Sequence, residues 1–192
     1  MKYSLERSYE ILDRTPAVLQ ALLSGVPDDW IMPNEGPETF SPYDVVGHLI
    51  HGEATDWTAR AKMILEFGPA RTFERWNRTA MYEESNGKTM QQLLDTFSAA
   101  RKKNMDWFRG LNLAEADLDK KGMHPVLGEV TLRNLLATWV AQRSSSARAL
   151  GTALPLTIAT FCAATGSATA PNKAAATRAE ESFFFMKKSK KF

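Results

Sequence analysis

The sequence predicts an all-α, antiparallel four-helix bundle, and three observations carry that prediction. Four segments of roughly 20 residues place apolar side chains at spacings of three and four, the period of a helix with one buried face. The connections between them are dense in Gly, Pro, Asn and Asp, residues that end helices and make turns. No stretch alternates apolar and polar residues in the manner of a half-buried strand. A chain of 192 residues with 44% apolar and 24% charged content can bury a real core in one domain.

The first helix is expected over residues 5–25, from Leu5, Leu12, Leu19 and Leu23, with Gly25 as its stop. Thr15-Pro16 is expected to interrupt or restart it, because the residue before a proline avoids the helical region. Residues 26–40, with three prolines before Phe40, form a loop in which Trp30 is expected to pack across the bundle end.

The second helix opens at Ser41-Pro42 and is expected to run unbroken to Phe67, before Gly68-Pro69. Ser41 is a good N-cap, Pro42 suits the first helical position, and Asp44 stands where a capping box needs an acceptor. This helix holds His48 and His51, two of the chain's three histidines. His48 lies on or beside the stripe of Val45, Leu49 and Trp57, so the question is which partners face it.

Residues 70–88 form a long connection with a turn of helix in it, and long loops in compact domains are often functional. Thr89-Met90-Gln91-Gln92 is a capping box that opens a helix to about Arg109. Residues 113–118 allow a short helix, and residues 121–130 read as a loop with two glycines and a proline. Thr131 caps the last helix, whose apolar face is Leu132, Leu135, Leu136, Trp139 and Val140.

Charge divides the chain. Residues 1–142 carry 16 basic and 20 acidic side chains, whereas residues 143–192 carry 8 basic and 2 acidic ones. That last segment also contains 12 alanines, 12 serines and threonines, and no Asp, Trp or Tyr. A break this sharp marks two kinds of sequence. The expected organisation is a bundle over 1–150 and an atypical basic tail over 151–192, poorly structured or short-helical. A frameshift near codon 142 would produce such a break; a naturally divergent tail is the alternative.

The acidic body argues against nucleic acid as a partner, and no apolar run is long enough to span a membrane. The single Cys162 excludes an intrachain disulfide and fits a cytoplasmic setting. A homodimer and a small-molecule substrate are the partners compatible with a bundle of this kind. No phosphate-binding glycine loop, nucleophile elbow or cysteine pair is present.

The segment DWIMPNEGPETFSPYDVVGHLIHGEATDW (Asp29 to Trp57), together with HPVLGEVTLRNLLATWVA (His124 to Ala141), resembles the DinB/YfiT group of metal-binding four-helix bundles. The resemblance covers about residues 4–141 and extends to loops as well as helices. It implies a divalent metal (zinc, nickel or iron) held by three histidines, and metal-dependent hydrolase or thiol-transferase chemistry. In such chemistry the ion lowers the pKa of a bound water or thiol. It also implies that His48 stands at the first ligand position, with a His-x-x-x-His pair expected at 142 and 146 on the last helix. This chain has Gln142 and Ser146 there. A carboxamide is a weak ligand for such an ion and a serine hydroxyl a poor one, so two of three implied ligands are absent.

The other polar residues read more plainly. His51 is expected in a surface or packing role, His124 as a turn residue, and Asp44 as a helix-start residue. Glu53 is expected to face solvent or to pair with a basic residue. Arg101-Lys102-Lys103 reads as a solvated face, and Trp30, Trp57, Trp107 and Trp139 as core.

Overall fold

A computed structural model describes residues 3–36, 39–77 and 79–153, with side chains as far as residue 142. Its elements are α1 (Leu5–Leu23), α2 (Asp28–Ile31), α3 (Pro42–Thr55), α4 (Trp57–Phe67), α5 (Ala80–Ser85), α6 (Met90–Gly110), β1 (Lys121–His124), β2 (Gly128–Thr131) and α7 (Leu132–Ala153). The bundle is made by α1, the α3–α4 pair, α6 and α7: α1 and α3 each pack on α6 and α7. The tail assigned to 151–192 lies outside the described residues beyond Ala153.

Capping chemistry sets the helix starts where the sequence places them. In α3, Ser41 Oγ accepts from the Asp44 amide at 3.1 Å while Asp44 Oδ2 accepts from the Ser41 amide at 3.0 Å. Asp44 is therefore the helix-start residue its position suggests. In α6, Thr89 and Gln92 make the same reciprocal pair. Ahead of α7, Thr131 and Asn134 do so, with bonds of 3.0 and 3.1 Å.

Four details differ from the sequence reading. First, α1 runs through Pro16 without a break. Proline removes the amide that would bond the carbonyl four residues back, that of Leu12, and Arg101 Nη1 donates to that oxygen at 2.8 Å instead. Second, the helix expected over 42–67 breaks at Asp56, whose backbone sits at φ −109°, ψ −72°. Next to it, Thr55 Oγ1 donates back to the His51 carbonyl at 2.7 Å, a bond that bends helices. Third, the loop expected at 121–130 is a two-stranded antiparallel hairpin with Lys121 opposite Thr131. A strand run this short carries too little alternation to be read from sequence. Fourth, Trp30 is 47% exposed, and its neighbour Ile31 is buried in its place. Trp57 and Trp139 are core residues as expected, and Trp107 is half-buried.

Two apolar clusters fill the interior. One gathers Leu19, Leu23, Val46, Leu49, Leu93 and Phe97. The other gathers Leu12, Trp57, Ile64, Met105, Phe108 and Trp139. Arg101 joins them, since its guanidinium lies 4.9 Å from the Phe97 ring centre and 5.0 Å from that of Trp139.

Candidate functional site

The histidines of α3 lie on one ridge of the helix with Thr55, three and four residues apart, and Trp76 lies along that ridge. Its ring centre is 4.9 Å from His48 and 5.1 Å from His51. Its indole Nε1 donates to Thr55 Oγ1 at 2.8 Å. The segment that carries Trp76 is anchored just upstream by the Phe73 amide, which donates to the Met123 carbonyl of the hairpin at 2.8 Å. Downstream it enters α5, which packs on α3. Gly47 permits that approach, because a Cβ there would stand 2.4 Å from Ser85 Oγ.

His48 is partly exposed and faces α7. Its Nε2 is 2.9 Å from Gln142 Nε2, so the amide donates and the imidazole Nε2 carries the lone pair. The Phe40 ring, 5.5 Å away between centres, flanks the other side. Beneath this contact the floor is Gly52, whose missing Cβ would lie 3.2 Å from Trp57 Nε1 and 4.0 Å from Gln142 Oε1. Ser146 follows one turn later on α7, with its side chain outside the described part. As a donor set for a divalent ion, the residues described here do not fit. The imidazole lone pair that would bind metal accepts from an amide that carries no charge and binds such ions weakly. Among the described residues, no three His, Cys, Asp or Glu side chains converge on one point.

His51 takes the packing role of the two expected for it, buried at 4% exposure. Its Nδ1 is 3.0 Å from both carboxylate oxygens of Glu84. Close by, burial raises the pKa of Asp56 above the usual carboxylate value, although the charges of Arg60 and His51 pull the other way. Arg60 Nε pairs with Asp56 Oδ1 at 2.7 Å. His124 ends β1, and its Nδ1 accepts from the amides of Val126 and Leu127 at 3.1 Å each, which makes it the turn residue expected. Burial, with help from the Arg60 charge, lowers its pKa.

Arg101 departs furthest from expectation, whereas Glu53 has the basic partner that its reading allows. Glu53 is 2% exposed and Arg101 3%, so Arg101 is not part of a solvated face, although Lys102 and Lys103 beside it are exposed. Glu53 Oε1 accepts from Arg101 Nε at 3.0 Å, Arg101 Nη2 at 2.7 Å and Trp139 Nε1 at 2.9 Å. Its Oε2 accepts from Asn104 Nδ2 at 2.9 Å. A buried carboxylate with four donors is paired and satisfied, and it ties α3 to α6 and α7. The signal was in the spacing: Arg101 and Asn104 fall in the apolar stripe of α6 between Phe97 and Phe108.

The helical bundle that carries these residues has a family counterpart. A model described as the DinB superfamily matches residues 11–142. The chain belongs to the DinB superfamily. Among solved structures, this DinB chain is similar to YfiT from Bacillus subtilis, described as a probable metal-dependent hydrolase with an unusual four-helix bundle topology. The TM-score is 0.67 at 18% identity, over 79% of this chain and 88% of that one, a likeness of fold. No curated protein matches. The DinB match stops at residue 142, where charge and composition also change. No described helix is long and apolar enough to cross a membrane.

Proposed function

We propose that this chain is a DinB-superfamily bundle of the metal-dependent hydrolase or thiol-transferase type whose metal centre is incomplete, so that the activity has lapsed. The contact that carries this reading is His48 Nε2 with Gln142 Nε2 at 2.9 Å. It pairs the expected first ligand with a carboxamide at the expected second position. Three-ligand catalytic centres keep a further position open for water or substrate, and one imidazole cannot hold an ion in that way. His48 is on this view the remaining third of a zinc, nickel or iron site. The similarity to YfiT, described as a probable metal-dependent hydrolase, supports the ancestral chemistry.

Metal analysis of the purified full chain tests the reading. The expected result is far less than one zinc, nickel or iron per chain after dialysis, unchanged by His48→Ala. Stoichiometric metal that is lost on His48→Ala would overturn it.

A second reading concerns the origin of the lapse. The family match, the charge balance and the composition all change at residue 142, which supports an out-of-frame C-terminus over gradual divergence. The nucleotide sequence decides: a neighbouring frame that encodes a His-x-x-x-His helix supports this origin, and its absence sinks it. If the bundle keeps a role without metal, small-molecule binding or dimerisation is the class of function left to it.

A further inference from the structure

The break at Asp56 has an effect on the opposite side of α3 from Trp76. While α3 packs on α6, α4 turns to pack on α7 and β1. A groove of about 420 Å³ lies between α4 and α6. Its floor is the buried pair of Glu53 and Asn104, and Ala54, Thr58 and Ala100 keep its walls low. Half-buried Trp107 closes the far end, with Lys62 Nζ 5.2 Å above its ring centre. Lys103 stands on the rim.

We propose that this groove binds a small aromatic carboxylate, independently of the His48 site. Three features specify that chemistry. The volume falls within the usual range for small-molecule sites, about 300–1,000 Å³. Trp107 offers a flat apolar face on which a ring can stack. Lys62 and Lys103 make no ion pair among the described residues, although the adjacent Lys102 pairs with Asp106 at 2.7 Å. Glu53 does not favour a cation here, because Arg101 already neutralises it from beneath. The rim is thus an unbalanced pair of positive charges on a body with an acid excess. A ligand ring on Trp107 displaces the Lys62 ammonium, which then pairs with the ligand carboxylate alongside Lys103.

The test is a calorimetric titration of the full chain with 2-naphthoate, and with 2-naphthalenemethanol as the neutral counterpart. Naphthoate is expected to bind with one-to-one saturation, and the alcohol at least fivefold more weakly. The Lys62→Ala/Lys103→Ala double variant should weaken naphthoate binding at least tenfold. Ala100→Leu, which fills the groove from a partly exposed helical position, should abolish it with the helical circular dichroism intact. His48→Ala should bind like the native chain, which separates this site from the metal reading. No saturable binding, equal binding of acid and alcohol, or undiminished binding by the filled-groove variant would each overturn the proposal.

Discussion

Arg101 donates Nη1–H to the carbonyl of Leu12 at 2.8 Å, and Leu12 is the residue whose helical donor Pro16 has removed. One guanidinium therefore repairs the proline defect in α1 and, through Nε and Nη2, neutralises Glu53 of α3. Because the guanidinium also lies over the Phe97 and Trp139 rings, the buried charge is enclosed by aromatic surface as well as by its hydrogen-bond partners. Sequence reading alone treats Pro16, Glu53 and Arg101 as three separate residues; in the fold they are one interaction.

Arg101→Met should destabilise the protein by about 3–5 kcal/mol, the range for removing one partner of a buried ion pair. Equilibrium urea unfolding measures it. Pro16→Ala discriminates further. In the Arg101→Met background it returns an amide to the Leu12 carbonyl and should recover about 1 kcal/mol or more, the net value of a helical hydrogen bond. In the native background that carbonyl already has its donor, so the gain should be smaller. Equal gains in both backgrounds would show that Arg101 does not stand in for the missing amide.

Gly122 lies in β1 against Ile64 Cγ1 and the Phe73 ring, which a Cβ would meet at 2.6 and 2.9 Å. Gly122→Ala should cost about 1–3 kcal/mol, as overpacking does. The same change pushes on Phe73, whose amide anchors the segment leading to Trp76. Tryptophan fluorescence should therefore change together with the melting temperature. Gly87→Ala serves as a control for a glycine with open space around it but with φ at +74°, and it should lower stability without altering the Trp76 environment.

His124 gives a pH dependence whose sign is fixed. Its folded pKa is lowered from 6.5 by burial and by Arg60, so the folded state binds fewer protons than the unfolded one. The contribution is fully present above the unfolded pKa and is lost as pH falls below about 6.5 toward the folded value. The melting temperature should thus fall between pH 7.5 and 5.5. His124→Asn keeps an acceptor for the amides of Val126 and Leu127 and cannot titrate, so it should flatten that part of the profile. An unchanged slope in the variant would place its source elsewhere.

The helices were legible because the burial of each depends on its own spacing, and their starts because caps are local: Ser41 with Asp44 and Thr89 with Gln92 announce themselves within four residues. The break at Asp56 was not, since a threonine inside a helical pattern does not show whether its hydroxyl will bond back to the carbonyl four residues earlier. Nor was the passage of α1 through Pro16, whose repair comes from a residue 85 positions later in the chain. At the site, resemblance names His48 and positions 142 and 146 as the expected ligand positions. The Gln142 contact itself needed the helix α7 in register beside α3, and the enclosure by Trp76 needed the hairpin that anchors its segment.

Placing histidines at 142 and 146 is the strongest test of His48 as a ligand position. Gln142 already reaches His48 Nε2, so a histidine at 142 starts within reach of the same point, and residue 146 follows one helical turn later. Residues four apart share a helix face, which lets two imidazoles converge on one ion. Gln142→His with Ser146→His should raise zinc content toward one per chain, and His48→Ala in that background should abolish the gain. Binding of N to metal stabilises it by mass action, by about 2.7 kcal/mol when free zinc is a hundredfold above Kd, so a zinc-dependent rise in melting temperature is a second readout. The double variant without zinc should not show that rise. If it takes up no metal while remaining folded, residues 142 and 146 are not ligand positions that complete a site with His48.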